Sequence, residues 1–280
     1  MKTGLVLEGG GVRGIYTAGV LDVFLEQGIS FDGVIGVSAG AIHGCSFLSG
    51  QHGRSIRYYM NYCADPRFMS ISSLLKTGDL VGEEFCYHEI PEKLDVYDNE
   101  AFMKNDVPFY AVCSNVETGA PEYLRMTDMF RDIDILRASA SMPYVSRLVE
   151  IGGKKYLDGG STDSIPVDAF RDMGYERNVV VLTRDISYRK KPELRLLAKL
   201  KYRKYPAFAK VQAERYLHYN RQVERVMELE QQGSVFVIRP SAPPVIGRME
   251  KDPEKVRQLY QMGREDAIYS LQKLQEWLRK

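Results

Sequence analysis

Between Gly4 and Leu48 the sequence alternates short apolar runs with glycine turns and helical stripes, and that order leaves few folds open. Leu5-Val6-Leu7 ends at Glu8 and three glycines. From Ile15 onward Ile15, Ala18, Leu21, Val23 and Leu25 follow a helical stripe that Gly28 stops. Gly33-Val34-Ile35-Gly36-Val37 reads as a second buried strand, and Ala39 to Leu48 as a helix of small residues. Strand, glycine turn, helix, strand, turn, helix predicts an α/β fold around a mostly parallel sheet. Gly33 to Gly50 carries no formal charge, yet its five glycines and four Ser/His side chains suit strand, turn and buried helix better than a membrane span.

Further strands are expected near residues 107–113, 155–157, 178–182 and 234–238, and helices over 55–64, 129–139, 206–230 and 253–279. The last of these carries Val256, Leu259, Tyr260, Ala267, Leu271, Leu274 and Trp277, an amphipathic pattern that should pack on the sheet. No repeat, low-complexity tract or Pro/Gly-rich linker divides the chain, so one domain over 1–280 is the simplest expectation. Its motifs fall within about 3–185, and a basic helical part follows over about 186–280.

Hydrophobic residues make up 44% and charged residues 27%, which argues against a disordered, collagenous or coiled-coil chain. The four cysteines, Cys45, Cys63, Cys86 and Cys113, lie at least 18 residues apart. That is neither a zinc spacing nor a disulfide scaffold, and it predicts reduced thiols and no metal. The apolar run after Met1 is too short for a signal-peptide core. The expected location is the cytoplasm, with peripheral contact to the inner face of the membrane.

Gly9-Gly10-Gly11-Val12-Arg13-Gly14 is G-x-G-x-x-G between a strand and a helix. Glycines admit a ligand close to the backbone, and a helix N-terminus favours negative charge. A pyrophosphate and a reaction oxyanion both need this, and tight packing alone also explains it. A dinucleotide site further requires an acid closing the second strand. Asp32 opens that strand, so it stands at the wrong end.

Gly36-Val37-Ser38-Ala39-Gly40 is G-x-S-x-G, again between strand and helix. A serine on this turn is held at a strand tip, and its neighbours must be small because the turn is crowded. The competing reading is a serine capping an ordinary helix. A nucleophile needs a proton acceptor. His43 lies five residues along the same helix and should point away, while His52, His88 and His218 have no motif context. Asp158-Gly159-Gly160, at the end of a short strand, is better placed: sites on parallel sheets gather at the carboxyl ends of strands. A plain Asp-Gly turn is the alternative.

Taken together and in order, Gly9–Gly14, Gly36–Gly40 and Asp158–Gly160 resemble the bacterial patatin-like phospholipase family. The likeness covers about residues 3–185 and includes Ala138-Ser139-Ala140-Ser141-Met142-Pro143, which is similar to a family segment between elbow and acid. Gly160 stands where many relatives carry alanine. The resemblance implies a three-layer α/β fold with a Ser-Asp dyad, no catalytic histidine and no cofactor. Ser38 would be the nucleophile and Asp158 the proton acceptor. Backbone N–H groups around Gly10, Gly11 and Val12 would hold the oxyanion, and Arg13 would anchor the loop or contact a lipid phosphate. The implied activity is hydrolysis of a phospholipid, lysophospholipid or acylglycerol ester. An acyltransferase with the same dyad, a lipid-binding protein without turnover and a nucleotide-binding oxidoreductase remain alternatives.

The chain's 38 basic and 37 acidic residues exclude a globally basic protein. The balance is uneven: residues 186–225 hold 12 Lys/Arg and 3 Asp/Glu, and the remainder holds 26 and 34. Six aromatic residues are interleaved in this basic stretch, with Leu194, Leu196, Leu197 and Leu200 as a short apolar face or lid. The combination suits an anionic bilayer surface, with a solvated helix as the plainer reading. No nucleic-acid motif accompanies the charge.

Overall fold

The computed structural model describes residues 1–192, 194–247 and 249–279. Strand β1 (Thr3–Leu7) leads through a 3-10 turn (Gly11–Gly14) into α1 (Ile15–Glu26). Strand β2 (Gly33–Val37) follows, then α2 (Ala39–Leu48), α3 (Arg54–Tyr62) and α4 (Ile71–Thr77). A π-helical segment (Phe85–Leu94) and α5 (Asn99–Lys104) precede β3 (Phe109–Asn115) and β4 (Pro121–Met126). Then come α6 (Ile133–Ser139), β5 (Val149–Ile151), β6 (Lys154–Asp158), α7 (Val167–Asp172) and β7 (Arg177–Val181). The chain closes with α8 (Arg195–Lys201), α9 (Pro206–Gln231), β8 (Val235–Ile238) and α10 (Pro253–Leu278).

The sheet runs β5-β6-β3-β2-β1-β7-β8, with β4 also paired to β3. Strands β3, β2, β1, β7 and β8 are mutually parallel, whereas β4 and β6 run antiparallel to β3. Alternate residues of the central strands enter two cores. Leu5, Leu7, Val34, Val179 and Val181 pack with α1 and α10 on one face. Val6, Ile35, Val37 and Val180 pack with Phe170 of α7 and with Val223 and Val226 of α9 on the other. Burial on both faces is why these strands read as unbroken apolar runs. The result is the expected three-layer α/β architecture.

Both long C-terminal helices belong to these layers. Helix α10 buries Val256, Leu259, Ala267 and Leu274 and lies against α1 and α3. Its crossing with α1 is close enough that a Cβ on Gly263 would run into the Tyr16 carbonyl oxygen, and one on Gly19 into that of Tyr260.

The structure corrects several expected boundaries. The helix expected from 129 begins at Ile133. Before it, the Asp132 carboxylate accepts from Thr127 N (2.7 Å) and Asp128 N (3.1 Å), which holds a turn instead. The strand expected over 107–113 is shifted to Phe109–Asn115, because Val107 N is engaged by Asn105 Oδ1 at 3.0 Å. Strands β4 and β5 carry no such apolar run in sequence: β4 is half-buried and polar, and β5 is three residues long.

Candidate active site

The register of the sheet brings two distant residues to one height. Val37 pairs with Val112, so Ser38 follows at the level of Cys113, and Cys113 pairs with Asp158. Because β6 is antiparallel to β3, Asp158 reaches this edge from a strand running against the parallel set. Ser38 and Asp158 thus lie side by side at the carboxyl edge of β2, although β6 runs against the parallel strands, a direction the sequence did not indicate.

Ser38 adopts φ 54 and ψ −121, a backbone conformation that a non-glycine residue takes only when its surroundings enforce it. Those surroundings are tight. A Cβ on Gly36 would lie 2.6 Å from Ala41 N, and one on Gly40 2.5 Å from the Leu7 carbonyl oxygen. One on Gly14 would lie 2.5 Å from the Ala39 Cβ, and one on Gly9 2.9 Å from the Val37 carbonyl oxygen. Glycine loop and serine turn are therefore packed into each other. Gly11 takes φ 58, which glycine adopts without steric cost.

Ser38 Oγ donates to Asp158 Oδ2 at 2.7 Å, and both residues are 6% exposed. Asp158 Oδ1 accepts from Gly160 N at 2.7 Å, so the carboxylate is held from both sides. A Cβ on Gly159 would strike the Val112 carbonyl oxygen, which ties the Asp-Gly-Gly turn to β3. The segment 138–143 links the two residues: Ser38 N donates to Ser139 Oγ (3.0 Å), and Asp158 N donates to the Ser141 carbonyl (2.8 Å). Ser114 Oγ donates to the Asp158 carbonyl at 2.8 Å. A hydroxyl on a strained turn, bonded to a fixed carboxylate, can deliver its proton while its oxygen attacks an electrophile.

Glu8, directly before the glycines, is 2% exposed. It accepts from Thr183 N (2.5 Å), Thr183 Oγ1 (3.1 Å) and Tyr219 Oη (2.8 Å). Burial, reinforced by the adjacent Glu8, pushes the Tyr219 phenol upward, so it stays protonated and donates. These bonds pin the start of the glycine loop to the end of β7 and to α9. Sequence reading missed this set and the roles of Ser114 and Ser139. A charged residue ending a buried strand was the one available signal for Glu8; Tyr219 had none.

A cavity of about 570 Å³ opens on Ser38 and Asp158 and is lined by Gly9, Gly10, Gly11 and Arg13 of the glycine loop. Arg13 is buried in its wall. None of the four histidines lines it. His43 is buried with its Nδ1 2.8 Å from Ser55 Oγ, and burial lowers its pKa to about 3. His52 pairs with Glu26 and His88 with Glu92. Asp32, the acid a dinucleotide site would need, accepts from Thr3 N at 2.6 Å at the opposite edge of the sheet. Among the described residues no cluster of three or more His, Cys, Asp or Glu could hold a metal ion, and no helix is long and apolar enough to cross a membrane.

The chain is 32% identical over 186 residues to the uncharacterized protein YjjU of Escherichia coli, covering 65% of this chain and 52% of that one. It is 30% identical to lysophospholipase NTE1 of Saccharomyces cerevisiae over 61% of this chain and 10% of the relative. Patatin-like phospholipase domain-containing protein 7 of Rattus norvegicus is 25% identical over 68% of this chain and 14% of its own length. The chain thus spans about half of one relative and a small part of the others. Among solved structures, VipD from Legionella pneumophila aligns with 97% of this chain and 67% of its own at 13% identity, with a TM-score of 0.48. Residues 205–279 match the model of a domain of unknown function, DUF6363. Residues 5–171 match the patatin-like phospholipase model, and the chain belongs to that family.

Proposed function

We propose that the protein is a serine hydrolase of lipid carboxylic esters working through Ser38 and Asp158. The observation that carries this is the 2.7 Å bond from Ser38 Oγ, on a strained turn, to the Asp158 carboxylate. Ser38 Oγ attacks the ester carbonyl carbon as its proton passes to Asp158 Oδ2. The carbonyl electron pair moves onto oxygen, and the backbone N–H groups of Gly10, Gly11 and Val12 receive that charge. Collapse breaks the ester C–O bond, and Asp158 returns the proton to the leaving alcohol. Water then attacks the acyl-enzyme, Asp158 takes its proton, and Ser38 leaves as the protonated hydroxyl with release of the fatty acid.

Lysophospholipase NTE1 bears its activity in its name, and that likeness supports a lipid ester as substrate class. A fluorophosphonate probe tests the reading. Ser38 should be labelled rapidly and Ser38→Ala not at all, with esterase activity on a short chromogenic ester lost in parallel. Undiminished activity of Ser38→Ala would end it. An anionic bilayer is the proposed partner surface. Leu194, Leu196, Leu197 and Leu200 are all exposed, and Leu194 and Leu197 line the mouth of the cavity.

A further inference from the structure

Three polar side chains of α9, Arg215, Tyr219 and Gln222, stand four and three residues apart and so share one face of the helix. Each is bonded to a different part of the site. Tyr219 Oη donates to Glu8 Oε1, at the head of the glycine loop, at 2.8 Å. Arg215 Nε donates to the Gly160 carbonyl at 2.5 Å. Gln222 Nε2 donates to Asp163 Oδ1 at 2.6 Å, and its Oε1 accepts from Ser164 N at 3.1 Å. Ser164 Oγ in turn donates to the Gly160 carbonyl at 2.8 Å. Gly160 is also the residue whose N–H fixes the Asp158 carboxylate. A Cβ there would lie 3.0 Å from both Arg215 Nη2 and Asp158 Oδ1, so the missing side chain is what lets the guanidinium close on this turn.

The helix itself is firmly seated. Phe208 shares a core with Leu157, the neighbour of Asp158, and Val223 and Val226 share another with Val6 and Val180 of the sheet. All three polar residues lie in 205–279, the segment that matches a domain of unknown function, and outside 5–171, which matches the patatin-like model. We infer that α9 is a positioning element of the reaction: Tyr219 sets the glycine loop through Glu8, and Arg215 sets Asp158 through Gly160. This rests on the hydrolase reading above and gives the C-terminal segment a part in it. The loop that receives the oxyanion and the acid that takes the proton hang from one helix. Hydrogen bonds to a buried carboxylate and a buried carbonyl are stronger than they would be in water, so the spacing they impose is stiff. Both side chains act through the backbone they hold. Charge on the oxyanion develops only in the transition state, so their loss belongs in kcat and not in KM.

The test uses the full chain and p-nitrophenyl butyrate, a short neutral ester that keeps charged substrate heads out of the measurement. Tyr219→Phe deletes one hydroxyl. It should lower kcat about tenfold, less than the roughly 10²–10³ that outright loss of an oxyanion donor costs, with KM within about twofold. The rate constant for fluorophosphonate labelling of Ser38 at saturating probe should fall in parallel. Arg215→Met should lower kcat to a similar extent, and Arg215→Lys, which keeps a cationic donor, should recover most of it. Val223→Ala, on the same helix but facing the core, should lower the unfolding midpoint and leave kcat within about twofold of the parent. If Tyr219→Phe and Arg215→Met both keep the parental kcat, or if Val223→Ala loses as much of it, α9 is scaffolding only and the inference fails while the hydrolase stands. A change confined to KM would also overturn it, since the side chains would then be touching substrate. Absence of fluorophosphonate labelling at Ser38 in the parent would remove the hydrolase reading itself, and this inference with it.

Discussion

The Asp158 carboxylate spends one oxygen on Ser38 and the other on the Gly160 N–H, so its orientation is set before any ligand arrives. Asp158→Asn keeps the shape and removes the proposed proton acceptor. General-base catalysis contributes roughly 10²–10⁴-fold, and kcat should fall by about that factor with the melting temperature little changed. A kcat within twofold of the parent would exclude Asp158 from proton transfer. His43 permits a test of a different kind. Burial lowers its pKa to about 3 from an ordinary 6.5, so below pH 6.5 the unfolded chain binds a proton that the folded one refuses. Stability is therefore full above pH 6.5 and declines as pH falls toward 3, at up to about 1.4 kcal/mol per unit. Between pH 6.5 and 5, where most carboxylates stay ionised, His43→Asn should flatten the decline in melting temperature. Parallel curves for the two proteins would refute it.

At the scale of elements, the site depends on pieces of chain that cross closely. The 3-10 turn after β1 sits on the serine turn, and Glu8 fastens it to β7 and α9. On the far side, α1 is backed by α10 through Gly19 and Gly263. Gly263→Ala would force the helices apart at the Tyr16 carbonyl. Overpacking of this kind costs about 1–3 kcal/mol. Denaturant unfolding should show that loss, and an unchanged midpoint would mean that the crossing accommodates a methyl group. Much at this scale was legible: β1, α1, β2, α2, α9 and α10 follow their periodicities to within one or two residues. Strand β4 was not, because Pro121-Glu122-Tyr123-Leu124-Arg125-Met126 pairs on one side only and lacks a continuous apolar run.

For the whole molecule, charge is unevenly distributed. Residues 186–225 carry a net +9 and the rest −8. The leucines of α8 stand exposed among Arg195, Lys199 and Lys201 beside the cavity mouth. On an anionic bilayer the lysines would meet headgroups and the leucines the acyl boundary. Flotation with vesicles containing anionic lipid should capture the protein at low salt and release most of it at 0.5 M. Leu196→Ser with Leu200→Ser should weaken capture several-fold. Equal capture by neutral vesicles, or none by either kind, would refute the surface.

The sequence by itself determined the strand and helix periods around the glycine turns. It also singled out Ser38, Asp158 and the glycine loop, because a tight turn demands small residues within a few positions of each other. Tertiary structure alone decided what those motifs face. The partners of Ser38 lie 101 and 120 residues away, and Tyr219 lies 211 residues from Glu8. No local spacing encodes such pairings; they follow from strand register and from which face each helix buries. The antiparallel course of β6 belongs here too, as does the opening of one cavity on both Ser38 and Asp158. Local sterics write themselves into neighbouring residues, whereas the position of a distant side chain depends on the packing of the whole sheet and its helices.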